Sequence, residues 1–300
     1  MRLQQRHLHR RHRACVDGGQ KEGSWSNFPA GAFTGRQGVQ LGDLTAEQRT
    51  AALAVVASLL SEQGYTQVLG ILAADDYLGA NDGGGGGANF GSDNYTLALY
   101  GAPSSDSAWT MQFGGHHLAV HVTVGGGTIS ASPFFTGVEP LTFTQDGVEY
   151  SPMVAEQDAV FGLLDSLDDT QLAAAKLSGI YDDLAAGPGV DNDYPASEGI
   201  LYGDLTADQQ ALVRTIIGLW VGDADESIAQ PLIGAYESQL AATRIAWAGS
   251  TDRDTLDSYL RIDGPRVWIE YINTKGQGAV HCHTVYRDKT IDYGTGTGTA

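Results

Sequence analysis

A seven-residue pattern that occurs twice in this chain constrains its fold more than any other feature. Gly-Asp-Leu-Thr-Ala-x-Gln stands at residues 42–48 and again at 203–209. In each copy a threonine can cap a helix and a glutamine follows three residues later, as in a capping box. A related version, Leu-Asp-Asp-Thr-Gln, occupies residues 167–171. The pattern predicts a capped helix at each place and indicates an internal repeat.

A second pair of similar segments lies in the parts of the chain that are rich in β-branched and aromatic residues. Residues 97–101 resemble 244–249, and residues 112–115 resemble 261–264, with offsets of 148 and 149 residues. We therefore expect two related halves, at about 40–165 and 200–294, each a capped helix followed by an antiparallel β-meander. The predicted strands are 95–101, 109–113, 116–124, 128–135, 243–248, 257–262, 266–272 and 279–287. Hairpin turns are predicted at 125–127 and 275–278, and the glycine run 83–87 is expected to be a flexible loop.

The charge is distributed unevenly along the chain. Residues 1–13 hold five arginines and no acidic residue, whereas the rest carries 12 basic residues against 36 acidic ones. Such an acidic surface repels phosphate backbones and anionic membranes, which excludes nucleic acid as a partner of the folded part and favours a small-molecule substrate. No stretch is long and apolar enough to predict a membrane span, and nothing indicates an oligomeric state.

The termini are expected to lie outside the folded domain. Residues 1–24 are predicted to be a disordered basic tail, because they carry much charge and little apolar surface. The N-terminus has a charged start but no apolar core region, so it is not expected to work as a signal peptide. Residues 25–294 are predicted to form a single α+β domain, and residues 295–300 a flexible tail.

The histidines form the best candidate for a functional centre. Five of the eight lie outside the tail, and all five fall in two clusters, Gly-Gly-His-His-Leu-Ala-Val-His at 114–121 and His-Cys-His at 281–283. Residues two apart on a strand share a face, so each cluster can direct two imidazoles to one ion. His117, His281 and His283 are the first choice as metal ligands, followed by His121. Because ligands of one ion must converge, the two strands that carry the clusters are expected to be neighbours.

Imidazole ligands suit a divalent transition metal, with zinc as the first choice and copper or iron as alternatives. His116 is predicted to support the ligands or to contact substrate. Glu270, an acidic residue on a predicted strand near the clusters, ranks with His121 after the first three ligands and is a candidate catalytic residue. Two further catalytic candidates are Arg287, which can bind a carboxylate or an oxyanion, and Asp288, which can orient a ligand histidine. A structural role for the histidines and a structural ion pair between Arg287 and Asp288 remain the alternatives.

Other candidate groups are assigned structural roles. Cys282 is expected to pack in the core and to point away from the flanking histidines. The acid pairs Asp75-Asp76, Asp168-Asp169 and Asp182-Asp183 are expected to cap helices or to face solvent.

At these motifs the chain resembles a bacterial family catalogued as domain of unknown function 3500. The resembling segments are 25–29, 42–49, 113–118, 132–135 with 137–140, and 281–288 with 292–294. They span nearly the whole chain, and the combination of Gly-Gly-His-His with His-x-His-x-x-x-Arg-Asp is specific. The family has no established activity, so the resemblance transfers the positions of the motifs and not a reaction. Its members often look exported.

The sequence thus predicts an α+β fold of two related halves around a histidine-lined cleft. The first functional hypothesis is a metal-dependent enzyme, hydrolytic or oxidative, that acts on a small molecule. The alternative is a non-catalytic metal-binding or extracellular interaction module.

Overall fold

The computed structural model describes residues 15–16, 24–81, 88–276 and 280–295. Most of the predicted N-terminal tail, the glycine run 83–87, part of the predicted turn at 275–278, and residues 296–300 lie outside this range. Within the predicted tail, the short strand Cys15–Val16 pairs in parallel with residues Leu99 and Tyr100. The prediction that residues 1–24 form a disordered tail is therefore wrong for these two residues.

Three of the six helices in the described part of the chain begin where the capping pattern predicts. Each of these three helices has a capping box, with Thr45, Asp168 or Thr206 as the capping residue. The capping side chain accepts a hydrogen bond from the backbone N–H three residues later, and the glutamine side chain at that position accepts one from the backbone N–H of the capping residue. The helices are Ala46–Ala57 (α1), Glu62–Asn81 (α2), Val154–Ser166 (α3), Asp169–Ala175 (α4), Ala207–Val221 (α5) and Glu226–Glu237 (α6). Among the described residues, none of these helices combines the length and hydropathy needed to span a bilayer.

Most of the strands join one large sheet. They are Cys15–Val16 (β1), Val39–Gln40 (β2), Thr96–Tyr100 (β3), Trp109–Gly115 (β4), Leu118–Gly125 (β5), Thr128–Ser130 (β6), Phe134–Val138 (β7), Phe143–Gln145 (β8), Val148–Tyr150 (β9), Ile200–Leu201 (β10), Arg244–Ala248 (β11), Tyr259–Asp263 (β12), Val267–Lys275 (β13) and Val280–Asp288 (β14). The order across the sheet is β1-β3-β4-β5-β7-β14-β13-β12-β11-β10, with β2 beside β3 and β6 beside β5. Apart from β1·β3, these pairings are antiparallel, so the protein is α+β as predicted.

The two faces of the sheet are covered differently. The helices pack on the face that carries Phe113, Val120 and Tyr286. The opposite face is covered by two segments with little regular secondary structure, residues 24–38 and 177–199, whose buried side chains include Trp25 and Leu184. Because side chains alternate along a strand, Cys282 joins the helix-side core, while His281 and His283 point to the other face. This confirms that Cys282 points away from the histidines.

Three details of the predicted strands are wrong. His116 and His117 do not begin a strand but form the two-residue turn between β4 and β5. The predicted strand 128–135 is divided into β6 and β7, and the break includes Pro133, which has no N–H to donate to a sheet. The strands of the two histidine clusters are not neighbours, because β7 pairs with both β5 and β14 and lies between them.

Candidate metal centre

The tight turn at His116 and His117 places both imidazoles at one end of the sheet. Glycines flank it on the β4 side, and a Cβ on Gly115 would lie 2.6 Å from the ring of Tyr95. His117 has a φ of 59°, a left-handed conformation that costs a non-glycine residue about 1–2 kcal/mol. Its carbonyl accepts a hydrogen bond from the N–H of Gly137 at 2.8 Å, which ties the turn to β7. Such strain persists only where the surrounding contacts hold the backbone in place, and it is common at functional sites.

Three imidazoles converge between this turn and the start of β14. His281 and His283 share a face of β14, and their Nε2 atoms lie 3.1 Å apart. The ring of His117 lies 5.0 Å from that of His281 and 5.1 Å from that of His283, between centroids. One ring nitrogen from each of the three lies within 4.8 Å of the others. Two nitrogens bound to one zinc at about 2.0–2.1 Å lie roughly 3.3 Å apart at a tetrahedral angle, so modest side-chain rotations would complete a site.

Burial keeps His117 and His281 in the neutral form that a metal requires. The pKa of His117 is well below its usual value, first because the ring is buried and then because His116, His283 and His281 surround it. Burial, followed by the neighbouring His283, lowers the pKa of His281 to about 3. Neutral imidazoles present lone pairs, which is the state in which histidine binds metals.

A carboxylate fixes the orientation of His283. Its Nδ1 lies 2.8 Å from Oδ1 of Asp183, and a ring that donates from Nδ1 to this carboxylate can present its Nε2 to the triad. Burial alone would raise the pKa of Asp183, but the hydrogen bond from His283 holds it below its usual value. Nδ1 of His281 is buried and has no hydrogen-bond partner in the described structure. The two facing Nε2 atoms share one hydrogen bond, and a metal ion could take the place of its proton and bind both rings.

His116 belongs to the same cluster but faces a different partner. Its ring stacks on that of His117 with 3.7 Å between centroids. Its Nδ1 lies 2.6 Å from Oδ1 of Asp75, a buried residue of α2. Oδ2 of Asp75 also accepts the N–H of Gly91. Nε2 of His116 is therefore the nitrogen left for a molecule in the site.

The four histidines border a cavity of about 340 Å³. Its walls also include buried Glu139, exposed Phe28 and exposed Lys275. A Cβ on Gly276 would lie 2.0 Å from Oε1 of Glu139 and 2.7 Å from Nδ1 of His281, so only glycine leaves both groups in place. A larger cavity, of about 460 Å³, lies between α2 and α3 and touches none of the histidines. The chemistry on the walls, and not the volume, makes the histidine cavity the candidate site.

The sequence interpretation missed three carboxylates of this site. Asp75 and Asp183 were expected to cap helices or to face solvent, but each is bonded to a histidine of the cluster. Glu139 stands directly before Pro140 at the end of β7, and its only sequence signal is its place in the Gly-Val-Glu-Pro segment of the family resemblance. None of the three is near a histidine in sequence, so local patterns could not identify them.

His121 lies outside the triad. Its Nδ1 donates to the carbonyl of Pro133 at 2.8 Å, and its ring packs edge-on against Trp25 and Tyr293. It points to the same sheet face as the triad but is packed beneath residues 24–38, away from the cavity lining.

Glu270 is also placed apart from the cavity. Its two carboxylate oxygens accept hydrogen bonds from the backbone N–H groups of Ala185 and Ala186, from Tyr259 Oη and from Trp268 Nε1, all at 2.7–2.8 Å. With four donors around it, the carboxylate anchors the covering segment 177–199 and does not reach the triad.

Arg287 and Asp288 occupy opposite faces of β14 and do not pair with each other. Arg287 donates to Asp191 and Asp292 on the segment-covered face. Asp288 accepts from Arg266 at 2.5 Å and from Tyr236 at 2.8 Å on the helix-covered face. Neither lines the histidine cavity, and the predicted orientation of a histidine by Asp288 falls instead to Asp183 and Asp75.

No curated protein and no solved structure shows significant similarity to the chain. The model of one protein family, described as a protein of unknown function (DUF3500), matches residues 3–295. This match covers both histidine clusters, all three capping boxes and nearly every strand of the sheet, and the chain therefore belongs to the DUF3500 family.

Proposed function

We propose that the protein is a metal-dependent hydrolase in which His117, His281 and His283 bind one divalent transition metal, with zinc as the first choice. The observation that carries this proposal is the convergence of three buried imidazoles from two separate parts of the chain on the wall of a cavity. Catalytic zinc sites have three protein ligands and leave one side to water or substrate, whereas structural sites have four ligands. The triad matches the catalytic class.

The ligand set favours zinc over the alternatives. Three imidazoles are one of the known ligand sets of a catalytic zinc, whereas non-haem iron oxygenases use two histidines and a carboxylate. Glu139 and Asp183 lie close by, but the converging group consists of imidazoles alone. Copper also accepts imidazole ligands, and a copper-dependent oxidation is the second reading of the same site.

The neighbouring residues have distinct proposed roles. A metal in the triad would supply a Lewis acid and a water of lowered pKa. Asp183 orients His283, and Asp75 orients His116, whose Nε2 contacts the substrate. Glu139 is the carboxylate at the cavity wall that can hold a proton beside the reacting group. Phe28 and Lys275 at the mouth provide an apolar and a cationic contact for a small molecule.

We also propose that the site lies in a cleft between two related halves. Strands follow one another in the same chain order on both sides of the β7·β14 pair. Counted outward from this pair, one side has the order β7-β5-β4-β3-β2 and the other has the order β14-β13-β12-β11-β10. Thr136 and Thr284 face each other at this join with 2.9 Å between their Oγ1 atoms. They are 148 residues apart, the offset of the similar strand segments. On this proposal only the first half contributes a histidine turn, and the start of β14 in the second half completes the ligand set.

Metal analysis of protein purified without a histidine tag tests the proposal. We expect about one zinc per chain, less than a tenth of that in His281→Ala, and hydrolysis of small ester, amide or phosphate probes only by the loaded protein. The matched control is His121→Ala, a buried histidine outside the triad, which should retain the metal. Protein that holds no transition metal and takes up none from solution would overturn the proposal. Metal without turnover would support the alternative of a non-catalytic metal-binding module.

A further inference from the structure

The segment 177–199 covers the sheet face next to the triad and carries Asp183, the partner of His283. It connects α4 to β10 and has little regular secondary structure of its own. The side chain of Asp183 is 46% exposed, so burial does not fix its position. Asn27 donates to its Oδ2 at 3.1 Å and the N–H of Leu184 donates to its Oδ1 at 2.8 Å, so its place beside His283 depends on hydrogen bonds and on the backbone that carries it.

The sheet holds this segment through two buried charges on the face that also carries His283. Glu270 accepts the N–H groups of Ala185 and Ala186 at 2.7 and 2.8 Å. Arg287 donates to the carbonyl groups of Ala186 and Gly187 at 2.8 and 3.1 Å. Both charged side chains are fully buried.

The three contacts follow one another along the segment. His283 meets residue 183, Glu270 meets residues 185 and 186, and Arg287 meets residues 186 and 187. Asp183 is only two residues from the first N–H that Glu270 binds, and consecutive Cα atoms are 3.8 Å apart. A shift of the backbone at Ala185 therefore moves the Asp183 carboxylate relative to His283.

We propose that Glu270 and Arg287 are positioning residues that act through Asp183 on His283. They fix the backbone so that Asp183 accepts from Nδ1 of His283, which keeps the Nε2 lone pair directed at the triad. The effect on metal affinity rests on the proposed function, whereas the effect on the His283 tautomer does not.

The substitution Glu270→Gln tests this role because it preserves shape. All four partners of the carboxylate are donors, so an amide NH₂ would face at least one of them and loosen the segment. We expect zinc affinity to fall roughly tenfold, the lower end of the range for groups that orient metal ligands. Tyr259→Phe is the milder second variant: it removes one donor at 2.7 Å and should fold even if Glu270→Gln does not. It should weaken zinc binding less than Glu270→Gln.

A double-mutant cycle with Asp183→Ala separates positioning from general destabilisation. If Glu270 acts through Asp183, the double variant binds zinc no more weakly than Asp183→Ala alone. Val160→Ala, which opens a cavity in the helix-side core, is the control: it should lower the melting temperature and leave zinc affinity unchanged. Additive losses in the double variant would overturn the proposal.

The tautomer of His283 gives a readout that needs no metal. In the metal-free protein, ¹⁵N NMR of the imidazole should show Nδ1–H in the wild type and a larger share of Nε2–H in Glu270→Gln and Tyr259→Phe. An unchanged tautomer in a folded Glu270→Gln variant would overturn the positioning role. If the protein binds no zinc at all, the proposed hydrolase fails while this measurement still decides the inference.

Discussion

His116 and Asp75 form a buried pair, with Nδ1 and Oδ1 2.6 Å apart, although 41 residues separate them in the chain. The pair joins the last turns of α2 to the turn that carries the histidines, so the helix layer and the histidine cavity are coupled. Tyr95 strengthens the same connection, because its hydroxyl donates to the carbonyl of His116. Stability and site geometry therefore depend on the same contacts here.

The first prediction concerns this pair. Asp75→Asn replaces a carboxylate that accepts the N–H of Gly91 and the Nδ1–H of His116. We expect the free energy of unfolding to fall by about 2 kcal/mol, the scale of a hydrogen bond to a charged group. Zinc content should not change, because His117, His281 and His283 remain in place. Urea unfolding and metal analysis measure the two effects, and loss of zinc would place His116 among the ligands.

The second prediction separates backbone strain from ligation at His117. Its φ of 59° favours glycine, so His117→Gly should be more stable than His117→Ala by about 1 kcal/mol. Both variants remove the imidazole and should lose the metal equally. Chemical denaturation of the two metal-free variants makes the comparison. Equal stability would show that the left-handed conformation is not retained in solution.

Local patterns predicted much of this fold. Each of the three capping boxes lies within four consecutive residues, so the sequence shows all of its hydrogen-bonding groups. The three helices that follow these boxes start where expected. The β-branched and aromatic segments likewise became strands with small shifts at their ends. The turn at His116-His117 was missed because it lacks the Asn-Gly type of signal and because Leu118–Val124 directly after it favour a strand.

The site was only partly predictable, because local patterns do not show which distant residues the fold brings together. His117, His281 and His283 could be grouped because two clusters hold every histidine outside the tail. Asp75, Glu139 and Asp183 come from a helix, the end of β7 and an irregular segment, and only the tertiary fold brings them together. The strand β7 between the clusters was unexpected, yet it sets the spacing, because the turn at His117 bonds directly to Gly137.

The third prediction concerns Glu156, a buried carboxyl of α3 beside the larger cavity. Oε1 accepts from Gln67 at 2.6 Å, Oε2 has no partner among the described residues, and burial raises the pKa of the group. A carboxyl whose pKa is raised on folding binds more protons in the folded state, so stability falls as pH rises from the unfolded value near 4.3 through the folded value. Each unit of raised pKa is worth about 1.4 kcal/mol once both states are ionised.

Glu156→Gln removes this titration. We expect the variant to gain stability relative to the wild type as the pH of urea unfolding rises from 5 to 8. Burial, followed by the charge of Glu156, raises the pKa of Asp223. Asp223 should therefore make stability fall with rising pH in the same way. This dependence should remain in Glu156→Gln but be smaller, because the charge of Glu156 is absent there. A difference between variant and wild type that does not depend on pH would contradict the raised pKa of Glu156.

The fourth prediction tests the packing around Glu139. In Gly276→Ala the new Cβ would collide with Oε1 of Glu139 and with Nδ1 of His281. We expect zinc affinity to fall roughly tenfold with little loss of stability, because the displaced groups lie on a cavity wall. Gly203→Ala is the matched control, since a Cβ there meets no atom within 4 Å. Unchanged zinc affinity in Gly276→Ala would show that neither group supports the triad.

The last prediction distinguishes a catalytic metal from a structural one. Both hydrophobic clusters are built from apolar side chains and not from the imidazoles of the triad, so the fold should persist without an ion. Chelation should then leave the far-UV circular dichroism unchanged. Loss of a ligand present at about 100 times its Kd removes roughly 2.7 kcal/mol of stability, which lowers the melting temperature of a domain this size by about 5–10 °C.

A structural site behaves differently, because its binding energy is folding energy and chelation unfolds the protein. His281→Ala is the control: a variant that no longer binds zinc should melt at the same temperature with and without chelator. A wild type that unfolds when the metal is removed would make the triad a structural site and would end its assignment as a catalytic centre.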